Sequence, residues 1–141
     1  MKCNIKRAST DNALYEPDIY AIAQGLELLE EDIRGFLEAG KFEQVSEENA
    51  RQNLEDLLSA REQLKQPQQN FTANELKAIY VGLNFLIADM KKPEAERSRF
   101  EQGLTPAQMT QKRRDVELTH QKITAAFSRM GIDIQSAMRG F

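Results

Sequence analysis

The chain predicts an all-α protein: an antiparallel four-helix bundle built from two tandem, diverged helical hairpins with an ordered C-terminal tail. Three observations predict it. Apolar residues recur at helical spacing along four long segments. Helix-start signatures stand ahead of those segments. One stretch is also nearly repeated, as "AIAQGLELLEEDI" at 21–33 and "AIYVGLNFLIADM" at 78–90.

At an offset of fifty-seven residues, Ala21, Ile22, Gly25, Leu26, Leu29 and Asp32 coincide with Ala78, Ile79, Gly82, Leu83, Leu86 and Asp89. Leu28 meets Phe85, and Ile33 meets Met90. "KFEQ" at 41–44 then meets "RFEQ" at 99–102, followed by Ser46 on Thr105, Leu57 on Val116 and Leu64 on Ile123. Each copy reads as a long helix, a Phe-Glu-Gln loop and a second long helix.

The elements follow in order. Residues 1–16 form an N-terminal leader with basic residues but no apolar run, unlike a secretory signal. The first helix is expected at about 17–39, starting at Pro17 and Asp18 and stopping at Gly40, with Ile19, Ile22, Leu26, Leu29, Ile33 and Phe36 on its seam. The second, at about 46–66, is capped by Ser46. Glu47 and Glu48 sit at its positive end, its seam is Ala50, Leu54, Leu57 and Leu64, and Pro67 ends it. The third, at about 72–92, opens with a Thr72–Glu75 capping box and a Phe71–Leu76 staple. Leu76, Ile79, Leu83, Leu86 and Met90 form its seam, and Pro93 stops it. The fourth, at about 105–130, has Thr105 as cap, Pro106 first, Gln108 closing the box and a Leu104–Met109 staple. Met109, Val116, Ile123, Phe127 and Met130 line its seam up to Gly131. The tail, 131–141, carries Ile132, Ile134, Met138 and Phe141 and is expected to dock on the bundle or on a partner. The whole is one domain, with copies at 17–66 and 67–130.

A glycine inside a helix costs about 1 kcal/mol relative to alanine. Gly25 and Gly82 stand at matched positions, each four residues after an alanine, Ala21 or Ala78. Each pair lies on one helical stripe, where small side chains let another helix approach closely.

Chemistry-bearing residues are sparse. The one cysteine, Cys3, lies in the leader. The one histidine, His120, follows Glu117 by three residues, a Glu-x-x-His spacing that carboxylate-bridged metal bundles use twice. The matched positions in the first copy hold Leu58 and Arg61, so a symmetric metal site is excluded and His120 reads as structural. No nucleophile–base pair and no phosphate-cradling glycine loop stand out. The sequence therefore assigns no catalytic residue, cofactor or metal ligand, and an enzyme or helical metalloprotein is the least favoured class.

The formal net charge is −3 and the pI about 5.3, which argues against a bulk polyanion binder. Charge is uneven: residues 17–66 carry twelve acidic and five basic side chains, residues 67–130 seven and ten. Lys112, Arg113 and Arg114 form the densest basic cluster, with Phe100 the only aromatic nearby. A nucleic-acid-associated regulator using the basic second copy is the alternative that this cluster supports. The run "LLEEDI" reads as a solvated face or, failing that, an acidic docking surface.

The third helix carries Tyr80, Val81, Phe85 and Ile87 beyond its seam, so it is central in the fold or covered by something else. The C-terminal tail, a second copy of the chain or another protein are the candidates. The leading expectation is a non-catalytic protein-binding protein: an inhibitor, immunity-type protein, adaptor or chaperone that covers a partner's surface. Its expected contact residues are Val81, Phe85, Lys112, Arg113 and Arg114. The longest apolar patch is too short to span a bilayer, and a cytoplasmic location is expected.

Overall fold

The computed structural model describes residues 13–42 and 45–138, and these are all-helical, with four long helices and no strand among them. They are α1 (Glu16–Ala39), α2 (Glu47–Leu64), α3 (Ala73–Met90) and α4 (Pro106–Arg129), followed by a short α5 (Ile134–Ala137). One 3-10 turn, Glu94–Glu96, interrupts the connection between α3 and α4.

The starts follow from local chemistry. Ser46, Thr72 and Thr105 each accept a hydrogen bond from the backbone N–H three residues on, and Glu75 and Gln108 reach back to close their boxes. α1 begins with only the return half: Asp18 accepts from the Tyr15 N–H at 2.9 Å. α1 ends on Gly40, whose φ of 67° is the left-handed conformation that glycine adopts without a Cβ penalty. α2 and α3 stop two residues earlier than their spacing suggests, because Lys65 and Lys91 turn their N–H groups onto nearer carbonyls in a tightened last turn.

α1 packs against α2, α3 and α4, and α3 packs against α1, α2 and α4, so these two helices form the centre. The expected seams of α1 and α3 are buried apart from Ile19 and Phe36, which are half-buried. α2 also buries Asn53 and Ala60, while Leu54 is only half-buried. Met130 departs from expectation: it caps α4 beyond the last buried turn and is 47% exposed, so it is no part of the seam. The extra apolar residues of α3 are explained largely by its central place. Tyr80 packs edge-on against Phe127, with ring centroids 5.9 Å apart, and Ile87 packs on the core. Ile132, Ile134 and Met138 of the tail also pack partly buried on the core. Phe141, Cys3 and the Glu43–Gln44 part of the first Phe-Glu-Gln loop lie outside the described residues. No described helix is long and apolar enough to cross a membrane.

Candidate functional site

The site begins with the two helix-interior glycines. A Cβ built on Gly25 would lie 2.7 Å from both the carbonyl carbon and the oxygen of Gly82. One built on Gly82 would lie 2.7 Å and 2.8 Å from the same atoms of Gly25. Ala21 and Ala78 are buried beside them. The two backbones therefore touch, which only this stripe of small residues permits.

Beyond the crossing, side chains from α1, α2 and α3 frame a groove of about 260 Å³. Leu29, Ile33 and Phe36 come from α1, Val45 and Ala50 from the start of the second segment, and Val81 and Phe85 from α3. Asp32 and Asn53 are its polar members. Val81 is half-buried and Phe85 is 37% exposed. Phe42, itself exposed, stacks edge-on against Phe36 with centroids 5.4 Å apart. No described residue of the tail and none of α4 lines this groove.

The expected contact residues are thus divided. Val81 and Phe85 line the groove, while Arg113 and Arg114 are exposed on α4. Lys112 turns inward, with its ammonium 2.7 Å from Glu101 and donating to the Phe100 carbonyl at 3.1 Å. It lines a second depression, of about 560 Å³, between α1 and α4, where Tyr20, Gln24, Phe100 and Val116 also face. The basic run therefore does not present three cations on one surface.

The acidic run is likewise answered from within. Glu30 receives Arg61 at 2.6 Å and Arg34 at 2.8 Å. Burial alone would raise its pKa, but the two guanidinium groups outweigh that and hold it below the ordinary glutamate value. Arg99 bridges Glu27 at 2.6 Å and Glu31 at 2.8 Å. Asp32, exposed at the groove, has no ion pair among the described residues.

Two buried polar clusters carry no sequence motif. In the first, Lys122 of α4 meets Asp18 at 2.7 Å, caps the Ala13 carbonyl at 2.5 Å and lies over the Tyr15 ring. Thr119 donates to the other Asp18 oxygen at 2.5 Å. In the second, Ser98 donates its hydroxyl to Asp89 at 2.6 Å, and its backbone N–H reaches both oxygens of that carboxylate at 2.9 and 3.1 Å. The same Ser98 oxygen lies 2.8 Å from Glu101. Burial pushes the Glu101 carboxyl up, and a hydrogen bond to Asp89 pushes it further. Asp89 is raised by burial but lowered on balance by hydrogen bonds from Glu101 and Ser98. Glu101 Oε1 meets the Lys112 ammonium without a well-directed hydrogen bond. The only sequence signal for either cluster is a polar side chain at seam spacing, such as Thr119 and Lys122 beside Val116 and Ile123.

His120 lies 3.0 Å from the Asn84 amide oxygen and stacks on Tyr80 with centroids 4.9 Å apart. Burial lowers its pKa, which favours the neutral imidazole. Among the described residues, no three His, Cys, Asp or Glu side chains converge where a metal ion could sit. No protein-family model, curated protein or solved structure matches the chain.

Proposed function

We propose that this is a non-catalytic, protein-binding helical protein that covers a partner's surface through the groove between α1, α2 and α3. The observation that carries the reading is Phe85, a large apolar side chain exposed on the rim of an apolar groove next to half-buried Val81. Burying two such side chains under a partner contributes about 1.5–3 kcal/mol each at full burial, less for the part already covered. Exposed apolar surface of this kind marks interaction sites on soluble proteins. An inhibitor, immunity-type protein, adaptor or chaperone acting in the cytoplasm would work this way. The nucleic-acid alternative has less support, because Lys112 and Arg99 of the basic second copy already serve internal carboxylates.

The architecture behind this reading is a pair of antiparallel hairpins descended from one. Its support is reciprocal detail: Gly25 and Gly82 meet each other's backbone, and the matched carboxylates Asp18 and Glu75 are both buried. Each of the two also reaches back to its own helix start, and each accepts a hydroxyl from a neighbouring helix, Thr119 in one case and Ser59 in the other.

The test places a photo-crosslinking amino acid at position 85, and separately at the exposed position 48 on α2, in the full chain expressed in its source cells. The reading expects a discrete protein adduct from position 85 that disappears with Val81→Asp, while circular dichroism shows the helices intact. Equal adducts at both positions, or none at position 85, would sink it.

A further inference from the structure

We infer that the groove takes a basic amphipathic helix of a partner protein, with two apolar side chains one turn apart entering between α1, α2 and α3 and a Lys or Arg reaching Asp32. The inference rests on the protein-binding reading above and adds the chemistry of the occupant.

Charge complementarity supplies the cation. Among the described residues, Asp32 is the only charged one that lines the groove. Glu27, Glu30 and Glu31 on the preceding turns of α1 are answered by Arg99, Arg61 and Arg34, whereas Asp32 has no ion pair among the described residues. Residues 17–66, which supply most of the groove's lining, are also acidic overall, with twelve acidic and five basic side chains. An apolar segment bearing an acid would meet repulsion there, and one bearing a base would meet attraction.

The matched position supplies the precedent. Asp89, fifty-seven residues on, is closed over by its own chain through Ser98, with Glu101 and the Lys112 ammonium behind it. In the aligned copies Asn53 stands where Lys112 stands, because Leu57 pairs with Val116. The first copy therefore has no lysine there, and Asn53 lines the groove instead. Lys112 serves Glu101, whereas the cation nearest Asp89 is Lys92 at 3.9 Å; its match in the first copy is Gly35, so the first copy offers Asp32 no equivalent.

Size and shape supply the helix. A volume of about 260 Å³ falls just below the roughly 300–1,000 Å³ of small-molecule sites, and it suits inserted side chains better than a whole ligand. Apart from Val45, the described walls are helices, whose main-chain groups are bonded within the helix, so among the described residues no strand edge is offered for a partner strand to pair with. An apolar helix face laid along α1 and α3 is the mode these walls accept.

A library of 16-residue peptides displayed on phage and selected against the full-length protein tests the inference. Recovered peptides are expected to carry two large apolar residues three or four apart with a Lys or Arg beside them. A synthetic copy should shift the NMR signals of Leu29, Ile33, Val81 and Phe85. Asp32→Asn should weaken its binding about fivefold, the scale of a rim ion pair, and raising the salt should weaken binding to the wild type more than to the variant. Groove-binding peptides without a basic residue, or indifferent to Asp32→Asn, would overturn the cation while leaving a protein-binding groove in place. Peptides that shift signals elsewhere, or no recovered peptide at all, would overturn the inference, and the crosslinking experiment separately decides the broader reading. Self-association seen by sedimentation and abolished by Phe85→Asp would also overturn it, because the occupant would then be a second copy.

Discussion

Gly25 and Gly82 show how one missing methyl group sets a helix crossing. Alanine at either position gains about 1 kcal/mol of helix propensity. It also puts a Cβ 2.7 Å from a carbonyl of the facing helix, and backbone cannot swing aside as a side chain can. Gly25→Ala and Gly82→Ala are therefore expected to destabilise by about 1–3 kcal/mol net in urea unfolding. Gly35, on the same α1 but with nothing within 4 Å of its missing Cβ, is the control: Gly35→Ala should stabilise by about 0.5–1 kcal/mol. The glycines are legible in the sequence because helical spacing puts each on a stripe with an alanine. Asp18 and Lys122 are not, because they lie 104 residues apart and no periodicity links them. Both are buried, so Lys122→Met, which leaves the carboxylate behind, is expected to cost about 3–5 kcal/mol in the same measurement. Adding Asp18→Asn to that variant should recover part of the loss, and failure to do so would mean that the ammonium acts through packing alone.

Among the described connections between the long helices, the one from α3 to α4 is held by ionisable groups. Asp89 at the end of α3, Ser98 and Glu101 in the connection, and Lys112 on α4 tie it down, with Lys92 3.9 Å from Asp89. Glu101 holds its proton more tightly when folded, so folding takes up a proton there. Its contribution is complete below its ordinary value of 4.5 and is lost as the pH rises through the higher folded value. Asp89 works in the opposite sense: its contribution is present above 3.8 and is lost as the pH falls through its depressed folded value. Denaturation of Glu101→Gln across pH 3 to 8 should show the acid-side loss retained and the decline above about pH 4.5 flattened. An unchanged slope above that point would show that Glu101 takes up no proton on folding. The helix starts at Thr72 and Thr105 are readable in the sequence because a capping box is local chemistry within four residues. This clamp is not, because Asp89 and Glu101 become neighbours only when the connection folds back.

Across the whole molecule, stability should be graded outward from α1 and α3. Each packs against the three other long helices, and Leu26 and Leu83 beside the glycine crossing are fully buried. Amide hydrogen exchange should be slowest in the middle of these two helices, near the global limit, and fastest in α5 and the Glu94–Glu96 turn, which bury no residue. Comparable protection in α5 and α1 would contradict a centre built on this crossing. The same centrality explains why α3 is more apolar than a surface helix needs to be: Tyr80 and Ile87 have neighbours on other helices, and only Val81 and Phe85 remain at an open groove.

By itself, the sequence determined the helical class, the four long helices with most of their caps, and the stripes of small residues on the first and third of them. These follow from short-range rules: period, capping chemistry and side-chain size act within a few residues of chain. The tertiary structure alone decided which charges face each other. It turned Lys112 from the basic run towards Glu101, paired the acidic run with Arg34, Arg61 and Arg99, and left Asp32 beside an apolar groove. A charge interacts with whatever the fold brings within a few ångströms, and sequence separation carries no record of that distance.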